Sequence, residues 1–244
     1  MTTPSNNFKA TQPQEVLFYG RTLQEYVKMF ALELSDWQGC KLLDCPAGPA
    51  SFIEEASEQG IDIVGCDPMY TDELGEILIE SGISDIEQVI QNCEQYPQLL
   101  SQKFYDSLEV MQEYATKALK IFARSYVVGK EKNRYIQASL PNLPFDNQSF
   151  DLVLSGNFLF IYSKLYNKNL EHLDYEFHRQ AILELLRISK REVRIFPIPC
   201  IEGRVNKYAS QLLADLEVEG VVAQTIPVEY EVFQGQNLMW RLTR

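Results

Sequence analysis

The chain lacks the features that mark several functional classes. Its five cysteines form no Cys-x-x-Cys pair, and their spacing relative to the two histidines fits no zinc site. No apolar run approaches the roughly 20 residues that span a bilayer, and residues 1–9 lack the apolar core of a signal peptide. We therefore predict no metal site, no membrane-spanning segment and a cytoplasmic protein.

Basic residues are also scarce. The 244 residues include 22 Lys and Arg against 34 Asp and Glu, a formal net charge of −12. Such a chain repels a phosphate backbone, whereas nucleic-acid binders normally present a basic face. One basic cluster, between Lys117 and Arg134, is typical of a solvated helix face. The balance favours a small-molecule substrate over a nucleic acid.

A β-loop-α-β pattern is the most informative feature that is present. The apolar run Lys41-Leu42-Leu43 leads into the loop 44–52 (DCPAGPASF), and a second apolar run, Ile61 to Cys66, ends at Asp67. Loop backbone at a helix N-terminus can approach an elongated ligand, while an acid after the second strand accepts hydrogen bonds from ribose hydroxyls. The pattern predicts a ligand that contains a nucleoside.

From these residues the chain resembles the class I S-adenosylmethionine-dependent methyltransferases. The segments 135–145 (YIQASLPNLPF) and 150–160 (FDLVLSGNFLF) follow in the order of that family's third and fourth strands. The resemblance implies a Rossmann-like, doubly wound, seven-stranded and mostly parallel sheet with an antiparallel C-terminal strand. It also implies S-adenosylmethionine as cofactor and S-adenosylhomocysteine as product.

The first loop departs from the family pattern. Three small residues, usually glycines, alternate after the acid in the family, and Pro46, Gly48 and Ala50 stand there in this chain. The loop therefore belongs either to a variant subfamily or to a relic that binds poorly, and the acids at 44 and 67 favour the variant. A non-catalytic binding or scaffold protein remains the alternative. A nicotinamide-dependent oxidoreductase is disfavoured, since it would carry Gly-x-Gly-x-x-Gly here.

The resemblance assigns most of the cofactor contacts. It implies that the first loop holds the methionine portion, that Asp67 holds the ribose, that the two following residues flank the adenine and that Ser139 accepts from the adenine amino group. An N-terminal helix would bring two further residues near the cofactor. The complete predicted set is Tyr19, Arg21, Asp44, Pro46, Ala47, Gly48, Asp67, Pro68, Met69, Ala138, Ser139, Leu140, Ser155, Gly156 and Asn157.

The catalytic group is less determined by the sequence. A sulfonium methyl group is already activated, so a general base is needed only when the acceptor must lose a proton. The segment after the fourth strand carries both histidines, and Tyr162, His172 and His178 are the candidates. The alternative for each histidine is a structural role, in a helix start for His178 and an exposed loop for His172.

We predict one methyltransferase domain over residues 1–244. Residues 1–35 hold a tail and an N-terminal helix (18–34), residues 36–69 and 133–244 form the core, and residues 70–132 form an acidic helical insertion of about three helices. The insertion could be a lid, a substrate-selecting cap, a contact of a homodimer or a solvated decoration. The later predicted elements are a helix at 176–188, a strand at 192–198, a helix at about 206–216, and strands at 221–233 and 237–242.

Overall fold

The computed structural model describes residues 15–71, 76–162, 170–201, 204–205 and 207–244. The strands are β1 Lys41–Asp44, β2 Asp62–Asp67, β3 Tyr135–Gln137, β4 Phe150–Gly156, β5 Ser189–Phe196, β6 Cys200–Ile201, β7 Arg204–Val205, β8 Val222–Pro227 and β9 Leu238–Thr243. The α-helices are α1 Leu23–Met29, α2 Phe52–Glu58, α3 Glu76–Glu94, α4 Leu108–Glu131, α5 Tyr175–Ile188 and α6 Lys207–Val218.

Seven strands form one twisted sheet in the order β3-β2-β1-β4-β5-β9-β8. Strands β1 to β5 are parallel, and β9 runs antiparallel to both β5 and β8. The order proceeds outward from β1 to β3 and then reverses at β4, which places a topological switch point between β1 and β4. This is the predicted Rossmann-like, doubly wound sheet with an antiparallel C-terminal strand, and that prediction is confirmed.

The sheet is covered on both faces because alternate side chains of its strands point to opposite sides. In β1, Leu42 joins the core under α1 to α4, whereas Leu43 joins the core under α5 and α6. Strand β4 repeats the alternation with Leu152 and Val153. Strands that are buried on both faces need continuous apolar runs, and both β1 and β4 contain such runs in the sequence.

The N-terminal helix is shorter than predicted. A capping box sets its start, since Glu25 Oε2 accepts from the Thr22 N–H at 2.7 Å and Thr22 Oγ1 accepts from the Glu25 N–H at 3.5 Å. It ends at Phe30, where the chain turns and Ala31 takes a positive φ of 47°. Residues 18–22 and 30–34 of the predicted helix therefore lie outside α1.

The described part of the insertion contains two α-helices and one 3-10 turn, Pro97–Leu99, where about three helices were predicted. Helix α4 packs tightly on the core: a Cβ at Gly129 would lie 2.4 Å from the ring of Tyr135. Helix α3 lies against α4 and reaches the carboxyl ends of the strands. No helix of the described residues is long and apolar enough to cross a membrane.

Candidate functional site

A cavity of about 470 Å³ opens at the carboxyl ends of the parallel strands, at the switch point. Thirteen of the fifteen predicted contact residues line it. They are Tyr19, Arg21, Pro46, Ala47, Gly48, Asp67, Pro68, Met69, Ala138, Ser139, Leu140, Gly156 and Asn157. The sequence therefore selected residues that the fold brings together, although they come from five separate segments.

The first loop is fastened to the end of β2. Ala47 N–H donates to the Cys66 carbonyl at 3.0 Å, Gly48 N–H donates to Asp67 Oδ2 at 2.9 Å, and the Tyr70 hydroxyl donates to the Gly48 carbonyl at 2.6 Å. Gly48 has a positive φ of 52°, which favours glycine, and no atom lies within 4 Å of the Cβ position. This glycine is the one position of the altered loop whose conformation requires that residue type.

Asp67 is oriented at both of its carboxylate oxygens. Oδ1 accepts from the Met69 N–H at 2.8 Å, and Oδ2 accepts from Gly48. Burial raises the pKa of Asp67 to about 6, against the opposing effect of the two backbone donors. Each carboxylate oxygen keeps a second lone pair. The two oxygens can therefore each accept a hydrogen bond from a hydroxyl group of a ligand in the cavity.

Two predicted contacts, Asp44 and Ser155, do not line the cavity, and this corrects the expectation of direct contact. The side chains at these strand ends point into the two covered faces of the sheet rather than out of its edge. Asp44 is fully buried, with Oδ2 accepting from the Tyr26 hydroxyl at 2.6 Å and Oδ1 without a partner. Ser155 is also buried, with Oγ unpartnered. Burial raises the pKa of Asp44 to about 8.

The segment before α1 crosses the first loop at close range. A Cβ at Gly20 would lie 2.1 Å from the Pro49 carbonyl oxygen, and the Arg21 carbonyl accepts from the Ser51 N–H at 3.0 Å. Glycine at position 20 is thus what allows the two chains to touch. The contact delivers Tyr19 and Arg21 to the cavity.

Arg21 and Tyr19 present unpartnered donors in the wall. The guanidinium lies 4.3 Å above the Tyr19 ring, and Nε is 3.4 Å from Glu25 Oε1 without hydrogen-bond geometry. The Tyr19 hydroxyl is buried without a partner, and burial raises the pKa of this phenol. Buried donors are rarely left without an acceptor, so the pair is suited to an anionic ligand group.

Glu25 lies beside Arg21 and is the shared acceptor of several hydrogen bonds. The sequence analysis did not identify it. Its carboxylate is almost fully buried and accepts from Thr22 N–H, the Thr22 hydroxyl, the Tyr105 hydroxyl and, at 3.3 Å, the Tyr230 hydroxyl. Tyr105 follows α3, and Tyr230 follows β8. The Thr-x-x-Glu spacing of a capping box was readable, but nothing local indicated the two tyrosines.

The three catalytic candidates have different surroundings. His178 does not line the cavity: its Nδ1 lies 2.6 Å from the Asp174 carbonyl and its Nε2 accepts from the Phe160 N–H at 3.3 Å. Burial lowers the pKa of His178, which is the structural role that the sequence left open. Tyr162 lines the cavity, but burial raises its pKa to about 12. His172 also lines the cavity and is exposed.

The insertion contributes wall residues for which the sequence gave no signal. They are Ser81, Asp85, Val89, Asn92 and Cys93 on α3, and Met111 on α4. Asp85 Oδ2 accepts from the Phe18 N–H at 2.7 Å, and the Tyr162 hydroxyl accepts from the Leu17 N–H at 3.2 Å. The insertion and the segment after β4 thus hold residues 16–19 across the cavity.

Comparison with known proteins gives remote likenesses. No protein-family model matches the sequence. An uncharacterised protein of Methanocaldococcus jannaschii is 28% identical over 226 residues, which cover 92% of this chain and 94% of that protein.

Several solved structures that the chain resembles are S-adenosylmethionine-dependent methyltransferases. One from Aquifex aeolicus has a TM-score of 0.43 and 11% identity, with all of both chains covered. The magnesium protoporphyrin IX methyltransferase of Synechocystis PCC 6803, crystallised with S-adenosylmethionine, has a TM-score of 0.42 and 12% identity over 86% of this chain and 73% of its own. TrmN from Thermus thermophilus has a TM-score of 0.44 and 13% identity over 90% of this chain and 47% of its own. This protein's Rossmann-like α/β fold is established by its own strand order.

Proposed function

We propose that this protein binds S-adenosylmethionine and transfers its methyl group to a small-molecule acceptor. The observation that carries the proposal is the carboxylate of Asp67, which ends β2 at the switch-point cavity with one backbone donor on each oxygen. A ribose presents two neighbouring hydroxyls, and the free lone pairs of an oriented carboxylate match such a diol.

Other residues of the cavity fit the remaining parts of this cofactor. The carboxylate of its methionine portion would satisfy the two orphaned donors, Arg21 Nε and the Tyr19 hydroxyl. Ala138, Ser139 and Leu140 line the cavity near Met69, where a flat base would bind. The Ser139 hydroxyl donates to the Leu140 carbonyl at 3.2 Å, so its oxygen remains able to accept from an amino group.

Bound S-adenosylmethionine supplies a methyl group that its sulfonium already activates. The protein therefore has to orient two molecules and exclude water, and residues 16–19 cover the cavity. Burial raises the pKa of Tyr162 to about 12, which makes its phenolate still less accessible as a general base. Where the acceptor atom carries a proton, His172 is the imidazole at the cavity that could take it.

The net charge of the chain and the enclosure of the cavity both support a small-molecule acceptor. The net charge of −12 opposes a nucleic acid, and the covered cavity suits a ligand that it encloses. The alternative is a protein that binds the cofactor without turnover. It is motivated by Pro46, whose ring nitrogen offers the ligand no N–H.

Calorimetric titration with S-adenosylmethionine and S-adenosylhomocysteine tests the proposal. Both should bind, and Asp67→Ala should weaken them by about 10- to 100-fold, since hydrogen bonds to charged groups are worth about 1.5–3 kcal/mol. Asp62→Ala is the matched control, because Asp62 is an exposed acid at the other end of the same strand. A folded wild-type protein that binds neither compound would refute the proposal, and binding without methyl transfer to any acceptor would favour the alternative.

A further inference from the structure

The walls of the cavity divide into two parts of different chemistry. The ends of β1 to β3 supply backbone donors and carboxylate oxygens, as described for Gly48 and Asp67. The other part is formed by the N-terminal segment, α3, the end of β5 and the loop between β8 and β9. Its side chains are mainly apolar: Leu17, Phe18, Val89, Phe196, Val232 and Phe233.

Among the residues that the structure describes, few charged side chains belong to this second part. Among the described residues, the charged or imidazole side chains that line the whole cavity are Arg21, Asp67, Asp85 and His172. The proposed cofactor engages Arg21 and Asp67, the N–H of Phe18 occupies one oxygen of Asp85, and His172 is exposed. The thiol of Cys93 stays neutral because burial raises its pKa to about 11. An anion placed here would lose its hydration without gaining a counter-charge, and a cation would meet only the carboxylate of Asp85, one oxygen of which already accepts from the Phe18 N–H.

An apolar side chain also stands where the cavity meets solvent. Val16, in the N-terminal segment, is 50% exposed and lines the cavity. Exposed apolar groups at the mouth of a cavity are characteristic of sites that admit apolar ligands. Asn92, on α3, supplies an uncharged amide among the apolar wall residues.

We propose that the acceptor is an uncharged molecule with a mainly apolar skeleton, bound between α3 and the β8–β9 loop. This inference rests on the proposed function, because the cofactor must occupy the other part of the cavity. It assigns the acceptor pocket to the insertion, whose mainly uncharged wall residues favour uncharged ligands.

A matched set of probes tests the charge preference at pH 7. The neutral 2-naphthol, the anionic 2-naphthoate and the cationic 2-naphthylmethylammonium share one ring system, and calorimetry measures their binding to protein saturated with S-adenosylhomocysteine. We expect 2-naphthol to bind at least about 10-fold more tightly than either ion, since burying an unpaired charge is unfavourable. Equal or tighter binding of an ion, or no binding of any probe to the saturated protein, would overturn the inference.

Asn92→Asp places a negative charge in this wall without changing its shape. It should weaken 2-naphthol by about 10-fold and strengthen the ammonium probe, while S-adenosylhomocysteine binds as before. Gln91→Glu is the control, since it adds the same charge to an exposed position of the same helix. If Asn92→Asp fails to melt cooperatively, Val89→Thr adds an uncharged hydroxyl to the same wall and should weaken 2-naphthol about 3-fold.

The outcomes separate this inference from the proposed function. Failure of S-adenosylhomocysteine to bind refutes the proposed function and the inference with it. Normal cofactor binding with unchanged probe affinities in Asn92→Asp and Val89→Thr refutes the inference alone.

Discussion

The two ends of the cavity are built in different ways. At the β2 end, defined by Gly48, Asp67 and Met69, a carboxylate is held by backbone N–H groups within 20 residues along the chain. At the α1 end, defined by Arg21, Glu25, Tyr105 and Tyr230, a carboxylate is held by its neighbour Thr22 and also by side chains from two distant segments. The β2 end, where we propose that the ribose binds, is therefore built locally, whereas the α1 end joins the insertion and the C-terminal strands to the first helix.

Asp67 and Glu25 are both buried acids, but we expect different consequences when each is removed. Removal of Asp67 should affect the ligand far more than the fold, since the backbone groups that it leaves lie beside the cavity. Removal of Glu25 leaves two buried phenols without their common acceptor and takes away the carboxylate that lies 3.4 Å from Arg21 Nε. Measurements of stability at the α1 end, at Asp44 and at the N-terminal segment test this difference between the two ends of the cavity.

The largest effect is expected for Glu25→Ala. Loss of the shared acceptor should lower the free energy of unfolding by about 3–5 kcal/mol, as when one member of a buried charged network is removed. Urea denaturation followed by circular dichroism measures it. Glu58→Ala, at an exposed position on α2, should stay within about 0.5 kcal/mol of wild type. If Glu25→Ala were no worse than Glu58→Ala, the α1 end would have no structural role.

An intermediate effect is expected from Asp44 as pH changes. Its pKa is near 8 in the folded protein, against an ordinary value of 3.8, because it is buried. Between these values the native state binds more protons than the unfolded state, so stability is greatest below pH 4 for this group and falls as pH rises through 8. From pH 6 to 8 the loss should be about 1–3 kcal/mol.

Asp44→Asn should remove that dependence, because an amide does not titrate in this range. The measurement is urea denaturation at pH 6, 7 and 8 for both proteins. Parallel pH profiles for the variant and the wild type would contradict the assignment. Asp67, with a pKa of about 6, should add a smaller loss between pH 4 and 6 in both proteins.

The smallest effect is expected for Tyr162→Phe. The change removes the hydroxyl that accepts from the Leu17 N–H, and one neutral hydrogen bond contributes about 0.5–1.5 kcal/mol. Hydrogen exchange should become faster at Leu17 while the amides of β1 keep their protection. Tyr96→Phe is a control, since Tyr96 does not line the cavity. Unchanged exchange at Leu17 would show that this hydrogen bond does not fasten the segment.

Local sequence patterns were sufficient for much of the fold. The five parallel strands, the last strand and the helix before β5 were each predicted near their observed positions, because buried strands need continuous apolar runs, whereas the strand predicted at 221–233 is limited to Val222–Pro227. The first helix was predicted over 18–34 and is shorter at both ends, because its apolar spacing continues through Phe30 and Leu34, where the chain has already turned at Ala31. The insertion's helices were predicted in number only approximately.

By itself, the sequence determined the succession of strands and helices along the chain, the acid that ends β2 and the glycine at position 48, because each depends on residues that are near one another in the chain. Only the tertiary structure decided that Asp44 and Ser155 do not line the cavity, that Tyr105 and Tyr230 donate to Glu25, and that α3 supplies a wall. These facts depend on which faces of distant elements meet. Contacts between segments that lie about 80 to 200 residues apart produce no periodic pattern in the sequence. They can therefore be identified only from the folded structure.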